Sequence, residues 1–132
     1  MKTGPDPESG SADNPTGSKA CDHAIRLAAV LGFSGVALGA FGAHWLKPVL
    51  NMNAAIAIWQ TAVLYHLMHA VAGLWAAGRR PGVTWVWAVG IFFFSGSLYA
   101  LALTGIRWLG AVTPVGGVLF LVGWAMLIIR PK

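Results

Sequence analysis

The sequence predicts an all-α membrane protein, with four transmembrane helices in an antiparallel bundle and a disordered N-terminal tail. Three observations predict it. Of 132 residues, 57% are hydrophobic and 10% charged, with a mean hydropathy of +0.67, whereas an ordinary soluble domain carries about 25% charged residues. The apolar residues gather into four segments, at about 24–43, 54–77, 83–103 and 111–129, each near the ~20 helical residues that cross a ~30 Å hydrocarbon layer. All four acids, Asp6, Glu8, Asp13 and Asp22, lie in the first 22 residues, so no carboxylate interrupts any of these runs.

Residues 1–22 form the expected cytoplasmic tail. They are rich in Pro, Gly, Ser and Asp and hold too little apolar surface to offset the entropy of ordering. The domain is then 23–132. Its first segment competes with a cleaved signal peptide, but the preceding region is long and acidic and Gly39-Ala40-Phe41-Gly42 shows no clear cleavage pattern. Asn53 is placed to cap the second helix. Gly78-Arg79-Arg80-Pro81-Gly82 separates the second and third segments, and Thr104-Gly105-Ile106-Arg107 the third and fourth. Connections this short make neighbouring helices antiparallel. In the fourth, Thr113-Pro114 reads either as an N-cap with proline at the first helical position or, if the helix starts earlier, as an internal proline.

Orientation follows from the basic residues. With four spans, Lys19, Arg26, Arg79, Arg80, Arg130 and Lys132 share one side, against Lys47 and Arg107 on the other. The positive-inside rule puts both termini in the cytoplasm. Trp45, Trp59 and Trp108 fall near one boundary and Trp75, Trp85 and Trp87 near the other, as aromatic belts would. The basic residues are isolated rather than striped, so no nucleic-acid partner is expected. The lone Cys21 cannot form an internal disulfide.

The absence of acids after Asp22 removes paired-carboxylate hydrolysis, a Ser-His-Asp triad within the bundle, and carboxylate-bound magnesium or calcium. The remaining candidates are polar groups within the spans. On the second helix, His66 and His69 lie about 60° apart on a small-residue face with Ala62 and Gly73, while Gln60, Leu64, Leu67, Val71 and Leu74 fall on the opposite, lipid-directed face. Tyr65 is adjacent. Ser95 and Tyr99, one turn apart on the third helix, are placed to meet the histidine face. Two readings of the histidines stay open: neutral rings bridging helices, or a proton relay. No metal is expected, because His23, His44 and Cys21 sit in or near loops and cannot complete a zinc set with them. Gly35, Gly39, Gly73, Gly116 and Gly117 are the expected helix-packing glycines. His44, Trp45 and Lys47 read as an interfacial anchor.

These segments, in order, resemble a known family. Ala37-Leu38-Gly39-Ala40-Phe41-Gly42-Ala43-His44, then Trp59-Gln60-Thr61-Ala62 with Tyr65 and His69, then Phe94-Ser95-Gly96-Ser97-Leu98-Tyr99 with Leu103-Thr104-Gly105, and finally Thr113-Pro114 with Gly116-Gly117 and Gly123-Trp124 are similar to the YgdD-type family of small membrane proteins, domain of unknown function 423. A vertebrate transmembrane protein is similar to it too. The resemblance implies a four-helix protein of the bacterial inner membrane, and it supplies no activity, cofactor or catalytic residue. The expectation is a non-enzymatic component without a cofactor, acting through contacts in the bilayer with itself or a larger membrane complex. The alternatives are a small proton or solute transporter with a His-lined interior and, behind it, a quinone or haem protein using His66 or His69.

Overall fold

The computed structural model describes residues 15–46, 48 and 53–131. They form α1 (Pro15–His44), α2 (Asn53–Ala77), α3 (Pro81–Thr104) and α4 (Leu109–Ile129), with no strand among the described residues. All four helices are long and apolar enough to cross a membrane. In a bilayer this is the necessary solution, since each helix satisfies its own backbone where lipid offers no partner.

The ends follow local chemistry. α3 opens on Pro81, where a missing N–H is harmless. It stops at Gly105, whose φ of 69° is the left-handed conformation glycine adopts without a Cβ clash, and whose N–H closes on the Leu101 carbonyl at 2.8 Å. α4 starts at Leu109, so Pro114 lies inside the helix rather than at its first position. Its ring removes the hydrogen bond to the Gly110 carbonyl.

One boundary departs from expectation. α1 begins at Pro15, so part of the tail expected to be disordered over 1–22 is helical. Propagating an existing helix is far cheaper than nucleating one, and proline suits a first helical position. The 30 residues of α1 measure about 45 Å at 1.5 Å each, so about 15 Å, nearly three turns, is in excess of a ~30 Å core and projects at its N-terminal end. Residues 1–14, 47, 49–52 and 132, with Lys47 and Lys132 among them, lie outside the described residues.

Side chains record the antiparallel register. Thr84 Oγ1 donates to the Gly73 carbonyl at 2.8 Å and Ser95 Oγ to the Ala62 carbonyl at 2.7 Å. Eleven residues up α3 therefore answer eleven residues down α2. α3 is the central helix, packed broadly on α2 and α4 and lightly on α1. One core cluster joins Ala70, Ala76, Val83, Trp87, Ile91 and Phe120, and a second, smaller one joins Leu46, Trp59 and Ala102.

α3 and α4 approach backbone to backbone at Gly90 and Gly116. A Cβ on Gly116 would meet the Phe94 main-chain nitrogen and lie 2.7 Å from the Gly90 carbonyl oxygen. Contacts of this kind replace hydrophobic drive within lipid, where tails are as apolar as the helices.

Two tryptophans are corrected by the structure. Trp59 and Trp87, read as belt residues, are 5% and 1% exposed. Each indole N–H donates to a carbonyl of a neighbouring helix: Trp59 to Leu38 at 3.1 Å, Trp87 to Phe120 at 3.2 Å. Each lies where a side chain on Gly42 or Gly123 would have stood. Trp45, Trp75, Trp85 and Trp108 are exposed, as belts require.

Candidate functional site

Two buried histidines of α2 gather polar partners from the helices around it. His66 and His69 are 4% and 3% exposed. The small face carrying them is turned inward with Ala62 and Gly73, while Leu64, Val71 and Leu74 are exposed. Leu67 differs from expectation: it is half-buried, and its side chain lies against Gly35 of α1. A helix flanked by two neighbours buries more than one face.

His69 is held in one tautomer. Its Nδ1–H donates to the Tyr65 carbonyl at 2.9 Å, and its Nε2 accepts from the Trp124 indole N–H at 3.2 Å. A carbonyl only accepts and an indole N–H only donates, so the ring is neutral with its proton on Nδ1. Protonating Nε2 would set N–H against N–H. The ring also stacks on Phe120 at 3.6 Å and 8°, with Trp87 and Trp124 meeting it edge-on.

His66 is bound differently. Nδ1 lies 3.1 Å from the Tyr99 hydroxyl and Nε2 lies 3.3 Å from Ser34 Oγ, which donates its proton to the Leu31 carbonyl at 3.0 Å. The consistent pattern is Tyr99 O–H to Nδ1, then Nε2–H to Ser34, then Ser34 O–H to Leu31. This chain ties α1, α2 and α3 together. Both partners are hydroxyls, and the pattern can reverse if Ser34 turns its O–H from Leu31 to Nε2, so His66 lacks the lock that a carbonyl and an indole N–H put on His69. A cavity of about 320 Å³ between α1 and α3 reaches His66 and Tyr99 past Leu31, Ile91 and Phe92.

The other expected residues separate into two groups. Tyr99 meets His66 as expected, but Ser95 bonds the Ala62 carbonyl and reaches neither ring. Tyr65 is partly exposed, its ring against Phe94 and Phe120. Gln60 is exposed beside a cavity of about 360 Å³ between α1 and α2, away from the histidines. Gly35 and Gly39 face Leu67 and Val63 of α2, Gly73 faces Thr84, and Gly117 has only ordinary contact with Phe94. His44 ends α1 exposed, and the exposed Trp45 stacks on Phe41 at 6.4 Å. No group of three metal-ligating residues gathers among the described residues.

Sequence reasoning missed Ser34, Trp124, Thr84, and the pair Ser97 and Thr113, whose hydroxyls are 2.7 Å apart between α3 and α4. A signal existed for the last. An internal proline frees Thr113 from capping and leaves its hydroxyl for a neighbour.

Gly35→Ala should be nearly neutral, because the Leu67 Cδ2 it would meet at 2.7 Å is the movable end of a side chain. Gly35→Leu should cost about 1–3 kcal/mol by overpacking. Thermal unfolding in detergent compares them, and equal tolerance of both would remove the α1–α2 packing argument.

Four spanning helices held by interhelical hydrogen bonds and glycine contacts define a small polytopic membrane protein. The chain's residues 38–117 match the family profile described as Protein of unknown function (DUF423). It is 47% identical over 113 residues to a UPF0382 membrane protein of Staphylococcus saprophyticus, covering 80% of this chain and 92% of that one. It is also 47% identical over 112 residues to the UPF0382 inner membrane protein YgdD of Escherichia coli, covering 78% and 84%, and 40% identical over 115 residues to the UPF0382 membrane protein YwdK of Bacillus subtilis, covering 80% and 92%. The chain belongs to the DUF423 family. No solved structure matches it.

Proposed function

We propose that this protein is a non-enzymatic component of the inner membrane, with both termini cytoplasmic, that acts through helix contacts with itself or with a larger membrane complex. The observation that supports this most is the full engagement of both buried histidines: all four ring nitrogens have partners within the protomer, on four different helices' side chains and backbone. Such rings bridge helices, at about 0.6 kcal/mol per bond on average in a membrane. The exposed surface of the spans carries large apolar side chains, Phe33, Val36, Phe92 and Leu121 among them.

The mass and composition of the assembly extracted in mild detergent test the reading. Several copies, or a second protein at fixed ratio, are expected. A lone 13.9 kDa chain across detergents and concentrations would contradict it. Reporter fusions at Lys47 and Lys132 should report opposite sides, and a shared side would remove the four-span orientation.

A second reading, a small proton or solute transporter, is favoured by the reversible hydroxyl partners of His66 and the cavity that reaches it. His69 does not support that reading, because its donor and acceptor roles are locked.

A further inference from the structure

We propose that the corner formed by the α2–α3 turn and the end of α4 binds the headgroup of an anionic phospholipid through Arg79, Arg80 and Arg130. Arg80 Nη1–H donates to the Arg130 main-chain carbonyl at 3.0 Å, which joins the turn to the end of α4. Arg79 folds back over Trp75, its guanidinium 4.6 Å from the ring centroid and its Nη1 donating to the Trp75 carbonyl at 3.4 Å. Three guanidiniums are thus brought to one end of the bundle.

Among the described residues no carboxylate pairs with them. Asp22, on α1, is the one acid among the described residues, and it forms no ion pair there. Like charges gathered at the edge of a low-dielectric layer call for a counter-charge, and a guanidinium matches phosphate oxygens with two parallel N–H groups. Arg80 spends one donor of its fork on the carbonyl and keeps the rest.

Two further features select a lipid rather than free phosphate. Trp75 is 54% exposed at the same end, where an indole marks the headgroup level. Ile128 and Ile129, next to Arg130, are 78% and 76% exposed and offer an apolar bed for acyl chains. Basic pockets at helix ends hold anionic headgroups in this way.

Native mass spectrometry of the purified full chain, titrated with phosphatidylglycerol or phosphatidylcholine, tests the site. Phosphatidylglycerol should be retained in preference, and Arg79→Gln, Arg80→Gln and Arg130→Gln should each weaken its retention about five-fold. Lys19→Gln, a basic residue on the projecting part of α1, should leave it unchanged. Arg79→Gln carries the test if Arg80→Gln fails to fold, since Arg79 does not tie the turn to α4. Equal retention of both lipids, or equal loss from Lys19→Gln, would overturn the proposal, as would full displacement by millimolar inorganic phosphate, which would mark a free-anion site.

Discussion

Gly116→Ala is expected to destabilise the protein by about 3 kcal/mol, the upper end of the cost of overpacking, and Gly116→Leu to prevent folding. The added carbon meets the backbone of α3 at two points: the Phe94 main-chain nitrogen, and the Gly90 carbonyl oxygen at 2.7 Å. Backbone cannot rotate aside as a side chain does, so α4 would have to separate from α3 along its length. The separation would also strain the Trp87 bond to Phe120 and the contact of Ser97 with Thr113. Gly117 supplies an internal control. A Cβ there comes no closer than 3.8 Å to Phe94, so Gly117→Ala should be neutral or slightly stabilising through helix propensity. Thermal unfolding in one detergent compares the two, and equal losses would mean that the helices do not cross at Gly116.

His69→Leu should cost about 2 kcal/mol. It leaves the Trp124 N–H without an acceptor and removes the ring stacked on Phe120, a contact worth about 0.5–1.5 kcal/mol beyond its buried area. His69→Gln restores hydrogen-bonding capacity without the ring and should fall between wild type and Leu. Near-UV circular dichroism should show the same order, because Trp87, Phe120 and Trp124 all touch the imidazole. A Leu variant as stable as wild type would place His69 outside the bundle's packing.

The spans, their antiparallel order and the inward face of α2 were legible because each depends on hydropathy and spacing alone. Gly116 was legible as a packing glycine, yet Gly90 was not, since its role depends on the rotation of α3 against α4. The same missing rotation hid Ser34 and Trp124, single residues on α1 and α4 whose value lies in meeting a histidine. Trp59 and Trp87 were read by depth. Depth does not separate an indole facing lipid from one buried against a neighbour's carbonyl, although the glycines at 42 and 123 mark the places where the indoles fit. The start of α1 was hidden for another reason: residues 15–22 lack the apolar pattern of a helix and are helical by extension from the span that follows.

The central claim is that the histidine network holds helices and does not carry protons, and His66 is where it is most exposed to test. The direct measurement is proton flux into vesicles reconstituted with wild type, His66→Gln and His66→Leu, each checked for an intact fold. Glutamine can donate and accept but cannot bind and release a proton near neutral pH. The account predicts no flux above protein-free vesicles for any of the three, with Gln nearly as stable as wild type and Leu less stable by about 1 kcal/mol for two lost bonds. Flux through the wild type that both substitutions abolish, with the fold intact, would contradict it.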